Sequence, residues 1–286
     1  MTFSLPRRRE AAPSPYQSWK NQAALVGRAS EAVTRMLFLS PPLRASMAVS
    51  TAVVPLFPDA VKVAAPWVAI LALIGIIYAS LAALSQKDVK LVIAYSSVAH
   101  LSLVVLGLFI ANEQTLAGVV IHMISHGIYV AALFLIVGML ESRRGSRMIA
   151  DFGGLWTPAP VLGVCLLIAM LGAVGLPGLN GFVGEFTILT GVFQINRWYA
   201  AVATLGVVLS AWYMLWTFQR VMHGKVTDPR NEETPDVQGN ELLVLVPLLV
   251  LIFVLGIMPN LILGPASESV AALAQKVVVL LPQIAL

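Results

Sequence analysis

Val161–Phe193 reads VLGVCLLIAMLGAVGLPGLNGFVGEFTILTGVF and carries a single charge, Glu185, in 33 residues. At 1.5 Å rise per residue a straight helix of that length would reach about 50 Å, against roughly 30 Å of bilayer hydrocarbon. The run must tilt steeply, break, or both. Gly175, Pro177, Gly178 and Gly181 write the break, because proline removes an amide donor and glycine opens non-helical dihedrals. Inside a bilayer a broken helix is tolerated only where the freed backbone groups face protein or a wet cavity. An ionisable residue just beyond such a break points to a transport pathway. Glu185 is therefore predicted to stand at the working centre of a membrane transport protein.

Composition agrees. Of 286 residues, 58% are hydrophobic and only 11% charged, with mean hydropathy +0.86, whereas a soluble domain carries about 25% charged residues. The pI near 9.4 does not indicate nucleic-acid binding. The cationic residues cluster in loops between apolar runs, which is a topology signal. The single cysteine, Cys165, lies within an apolar run and reads as a small core residue, with no disulfide framework or cysteine-based metal site.

Outward from the broken run, the chain divides into three parts. Residues 1–45 are basic and proline-containing, and are predicted to form a disordered tail with an Arg-rich, acid-poor texture faintly like that of an organellar transit peptide. No apolar segment of secretory-signal type follows Arg9. Residues 46–263 hold the membrane domain. Ser46–Phe57 is an apolar stub, followed by spans at Val63–Gln86, Leu91–Ala111, Thr115–Leu140, the broken run, Tyr199–Phe218 and Leu242–Leu263. Residues 264–286 are predicted to form a mostly apolar C-terminal helix. The expected fold class is an all-α integral membrane bundle of about six transmembrane helices with one discontinuous helix. The Lys87/Lys90 turn, the Arg143–Arg147 loop and the Arg220–Arg230 loop fall on one side of the bilayer, which the positive-inside rule makes cytoplasmic, or matrix in a mitochondrion.

Few residues could carry chemistry. His122 and His126 are four apart and share a helix face. Such a pair can ligate zinc, but no HExxH or cysteine set supplies further ligands, so no metal site is predicted. Two readings remain for intramembrane histidines, a satisfied structural residue and a proton relay, and imidazole titrates closest to neutral pH. Tyr95, Ser96, Ser97 and His100 form a polar patch on one span; both serines share the face of His100 and are also suited to interhelical hydrogen bonding. Lys90 reads either as a pathway residue or as a snorkelling anchor. Around Glu185, desolvation favours the neutral acid and helix N-terminal amides favour the carboxylate. No GxGxxG, Walker lysine, iron–sulfur cysteine cluster or haem attachment motif is present, so no cofactor-binding residue is predicted.

Three stretches, SQKDVKLVIAYSSVAHLSLVVLGLF, GVVIHMISHGIYVAALFLIVGML and GLPGLNGFVGEF, run collinearly between Val54 and Leu263. Together they resemble the antiporter-like membrane subunits of respiratory complex I. The carboxylate in GFVGEF is similar to the M type, since the related L, N and Mrp sodium/proton antiporter subunits usually carry lysine there. The resemblance implies the second half of a bundle of about fourteen helices built from two inverted repeats. Protons would cross a central polar axis, driven by quinone reduction elsewhere. By position, His100, His126 and Glu185 match that axis, Lys90 matches a DxK turn, and His122 falls where the family often has glutamine. NADH, FMN, iron–sulfur clusters and quinone would then belong to partner subunits, with none on this chain. The implied partners are the lipid bilayer, other membrane subunits of a complex I-like assembly, and a chain supplying a missing first half, with no nucleic acid. The implied location is a bacterial inner (plasma) membrane in preference to a mitochondrial one. Residues 1–45 do not share the resemblance, which suggests a truncated or frame-shifted gene. The alternatives are a subunit of a cation/proton antiporter or membrane-bound hydrogenase, and a structural remnant that pumps nothing.

Overall fold

The computed structural model describes residues 58–226 and 228–278. The basic segment before Ser46 and the Ser46–Phe57 stub lie outside them. The described residues form eight α-helices: α1 (Pro58–Ser85), α2 (Val89–Ile110), α3 (Glu113–Arg144), α4 (Pro160–Val174), α5 (Asn180–Ile195), α6 (Arg197–Met222), α7 (Gly239–Ile257) and α8 (Asn260–Val278). Five of these contain segments long and apolar enough to cross a membrane: Val63–Ser85 within α1, then α2, α3, α6 and α7. At fifteen residues α4 reaches only about 22 Å, so α4 and α5 together make the sixth, discontinuous crossing. The all-α membrane bundle expected from hydropathy is what forms.

Local chemistry sets the ends. Asp88 caps α2 by accepting from the Lys90 amide at 2.8 Å, and Asn112 and Thr115 close a capping box on α3. Gly145 ends α3 in the left-handed region at φ +67°. Pro160 opens α4, and the Asp236 carboxylate reaches across from a distant loop to accept from the Val161 and Leu162 amides at 3.0 and 2.9 Å. Asn196 caps α6 through Trp198 and Tyr199.

Helix ends shift by a few residues at most spans, and two differences have a clear local cause. The last span ends at Ile257 instead of Leu263, because Pro259 cannot continue the α7 ladder, and Leu261–Leu263 fall inside α8. The terminal helix therefore starts at Asn260 instead of residue 264. Gly181 is also not part of the break. The helix is interrupted between Gly175 (φ +76°) and Leu179, with Gly178 at φ +94°, whereas Gly181 is already helical in α5. A Cβ there would collide with the Gly172 carbonyl, so this glycine lets the two half-helices cross closely.

Helix α3 is central. It packs against α2, α4, α5, α7 and α8, and 78% of its most apolar window is buried, against 28–56% in the other four long helices. Two apolar cores flank its histidines. One joins the C-terminal half of α3 to α4, α6 and α7; the other joins α1, α2, α5 and the start of α3. Trp67, Leu71, Tyr78, Trp198, Trp212 and Leu243 point outward, an apolar exterior suited to lipid or to neighbouring membrane helices.

The three basic loops meet at one end, as their charge pattern predicted. The Ile149 amide donates to Lys87 O at 2.8 Å, the Trp156 amide to Met222 O at 2.9 Å, and Asn231 Nδ2 to Gly153 O at 3.2 Å. Arg144 pairs with Asp228 at 3.1 Å, Arg147 with Asp88 at 2.6 Å, and Arg143 with Glu241. Hydrogen bonds from Arg230, first its side chain and then its backbone amide, hold the Asp228 carboxyl well below the ordinary carboxylate range. A carboxyl shifted down in the folded state contributes fully above its unfolded value, and that contribution fades progressively as pH falls from the unfolded value to the lower folded one. Asp228→Asn should therefore raise hydrogen exchange of the 228–234 segment by a constant factor from neutral pH down to the upper edge of the ordinary carboxylate range. The difference from the parent should shrink progressively as pH falls through and below that range. A difference that vanishes at mildly acidic pH would contradict this assignment.

Candidate functional site

The site lies where α2, α3 and α5 converge. His100 is on α2, His122 and His126 on α3, and Glu185 on α5, all buried. The half-helix α5 reaches α3 through small residues. A Cβ on Gly184 would come within 2.5–2.6 Å of His122 Cβ and Cα. One on Gly118 would lie 2.7 Å from the Ile188 amide nitrogen, and one on Gly191 would lie 2.7 Å from Thr115 Cγ2. Glycines at these places allow backbone-to-backbone packing inside the bundle. That approach brings Glu185, next in sequence to Gly184, among the histidines.

Glu185 Oε1 lies 3.0 Å from His100 Nδ1. Its other oxygen turns back to the break, where a Cβ on Gly175 would meet Oε2 at 2.6 Å. Of the two opposing influences the sequence left open, helix N-terminal amides are the more remote. Glu185 is more than one turn into α5, and its close polar neighbour is an imidazole. The His100 ring is 5.7 Å from that of His122 and 6.0 Å from that of His126, and the His122 and His126 rings are 6.2 Å apart, centroid to centroid. Tyr129 presents an edge to both His126 and His100, at 5.4 and 5.9 Å.

Polar capacity is in surplus here. Among the described residues, His100 Nε2, both His122 nitrogens, His126 Nε2 and Glu185 Oε1 have no well-aligned hydrogen-bond partner; the 3.0 Å His100–Glu185 approach is close but off-line. Buried imidazole and carboxylate groups ordinarily find partners, since an unpartnered buried polar group costs about 1–3 kcal/mol. A cavity of about 20 Å³, lined by His100, Glu185, Ser210 and Tyr213 among others, adjoins the pair and is large enough for a water.

Of the residues singled out from sequence, His100, His122, His126 and Glu185 come together in one cluster. Lys90 does not join it. It lies ten residues before His100, about 15 Å along the helix, and its ammonium pairs with Glu141 at the loop end. The anchor reading describes that position. Ser96 and Ser97 turn their hydroxyls onto Ile93 O, at 2.8 and 3.0 Å, and Tyr95 packs on the apolar core. Gly175, Pro177 and Gly178 form the break beside the site. The buried hydroxyls of Ser210 and Tyr213 on α6 and of Tyr129 on α3 were missed from sequence. A signal existed: Ser210, Tyr213 and Thr217 recur at helical spacing along α6 and are all buried. Asn180 was missed too; it opens α5 and sends Nδ2 towards Ser125 O at 3.4 Å.

Comparison with known proteins bears on this arrangement. Residues 11–210 match the family described as "NADH:quinone oxidoreductase/Mrp antiporter, TM". That match begins at residue 11, so most of residues 1–45, expected to lie outside the resemblance, fall within it. The chain is 43% identical over 222 residues to NADH-quinone oxidoreductase subunit M of Rickettsia prowazekii, covering 78% of this chain and 45% of that protein. It is 38% identical over 258 residues to the Mycobacterium tuberculosis protein of the same name, covering 89% and 46%. In structure it superposes on a chain of respiratory complex I from Thermus thermophilus with a TM-score of 0.77 at 30% identity, covering 81% of this chain and 49% of that one. A chain of the Mrp complex from Dietzia shares the fold at 19% identity, with a TM-score of 0.67. The chain spans about half the length of the proteins it matches.

Proposed function

We propose a proton-translocating function from one premise: this chain belongs to the NADH:quinone oxidoreductase/Mrp antiporter transmembrane family. The observation that supports it best is the buried His100–Glu185 pair at 3.0 Å, beside His122 and His126, immediately below a helix break. At that distance a small side-chain rotation would align the imidazole and carboxylate for proton transfer. The His122 and His126 rings continue the series towards α3, at spacings that one water molecule can bridge. In the forward direction His100 takes a proton from the histidine side and passes it to Glu185. Glu185 releases it towards the cavity lined by Ser210 and Tyr213. The chain itself holds no redox chemistry in this scheme. Electrons, and the NADH, FMN, iron–sulfur clusters and quinone that carry them, belong to partner subunits of a complex I-type assembly.

The same reading places the chain in a bacterial plasma membrane, loop end towards the cytoplasm, among other membrane subunits. Residues corresponding to the first half of its relatives would complete the polar axis from another chain. The test is quinone-linked acidification in membrane vesicles of a strain lacking its own subunit, supplied with this chain alone or together with an upstream half. Acidification restored only by the pair is the expected result. Full pumping by this chain without such a partner would overturn the need for it. No restoration by either combination would overturn the proton-translocating role, and acidification that strictly requires sodium would replace it with antiport.

A further inference from the structure

We propose that His100, His122 and Glu185 form a binding site for a divalent transition metal ion of the Zn²⁺ class. The sequence argued against a metal because the i, i+4 pair His122/His126 has no further ligand near it in the chain. The fold changes the ligand set. One ligand atom from each of His100, His122 and Glu185, on three different helices, lies within 4.8 Å of the other two. Two imidazoles and a carboxylate are a donor set suited to Zn²⁺, whose bonds of about 2.0–2.2 Å require only a modest inward movement of each side chain. Three protein ligands with a water in the fourth position satisfy a tetrahedral ion, and the adjoining cavity of about 20 Å³ has room for that water.

Two further features favour occupancy. The imidazoles are already buried with nitrogens to spare: both nitrogens of His122 and Nε2 of His100 have no hydrogen-bond partner among the described residues. Coordination thus satisfies atoms the fold leaves unsatisfied and breaks only the off-line His100–Glu185 contact. The close approach of α5 to α3 at Gly184 also fixes the Glu185 backbone relative to His122, so two of the three ligands are preorganised. Binding takes the imidazoles as neutral bases and Glu185 as carboxylate, and any proton held by the pair leaves to solvent. On the proton-transfer reading above, an occupied site removes the relay's exchangeable positions, so the ion acts as an inhibitor.

The experiment uses the full chain, assembled with its partners in membranes and purified in detergent, and zinc chloride as the probe in a buffer that fixes free Zn²⁺. Zinc content is measured by mass spectrometry and coordination by X-ray absorption. One zinc per chain is expected at this site, with imidazole scattering and a first shell at about 2.0–2.1 Å. Glu185→Gln and His122→Ala should each weaken binding by more than about 100-fold, beyond the cost of losing an outer-shell partner. His223→Ala, in the loop after α6, should leave it unchanged. Absence of binding, binding indifferent to both site variants, or a spectrum without imidazole would overturn the site. If zinc binds with these signatures and quinone-linked proton movement continues undiminished, the site stands and the relay reading falls.

Discussion

Glu185→Gln is expected to lower coupled proton movement by about 100-fold, the order contributed by one positioned acid–base group. The amide keeps the volume and polarity of the side chain but cannot take up and release a proton. It also removes a buried ionisable group whose burial is itself costly, so the fold should not suffer. Accumulation in the membrane and thermal midpoint are therefore expected to match the parent. This separates loss of function from loss of structure. Glu185→Asp retracts the carboxyl by one methylene from His100 and should retain an intermediate rate. The measurement is acidification per quinone reduced in vesicles carrying the assembled complex. Pumping unchanged in Glu185→Gln would remove this residue from the pathway and leave a scaffold.

Gly184→Val is expected to be the most damaging substitution to the structure. A Cβ at residue 184 would stand 2.5 Å from His122 Cβ and 2.6 Å from its Cα, and one of those atoms is backbone that no rotamer change can move. Helix α5 would have to withdraw from α3. Overpacking of this kind costs about 3 kcal/mol, at the upper end for an inserted group. Withdrawal would also open the His100–Glu185 contact, so proton movement should fall along with the thermal midpoint. Gly138→Val is the matched control. That glycine also lies in a membrane helix, but nothing lies within 4 Å of its added Cβ, so stability should change little. Equal thermal midpoints for the two variants would show that close α3–α5 packing is not what assembles the site.

The sequence alone determined a good deal about this protein. Charge scarcity, run length and the Gly-Pro-Gly interruption were enough to specify a membrane bundle with one broken helix, because hydrocarbon thickness and backbone hydrogen bonding leave few other solutions. Loop charges were enough to bring the Lys87, Arg143–Arg147 and Arg220–Arg230 segments to one end. His100, His126 and Glu185 were legible because ionisable residues are expensive at membrane depth and stand out against an apolar background. Helix ends were less so: Pro259 moved a boundary, and Gly181 read as a breaker when its use is a close crossing. Only the tertiary structure decided which polar residues meet. Lys90 sits a helix's half-length from the cluster and pairs with Glu141, a partner 51 residues away in the chain. Tyr129, Ser210 and Tyr213 enter because their helices turn those faces inward. His122 gains two ligand-bearing neighbours from other helices. None of this is written in local spacing, because side chains on different helices are brought together by interhelical contact. Here that contact was set by glycines at 118, 184 and 191, whose missing side chains let α3 and α5 touch.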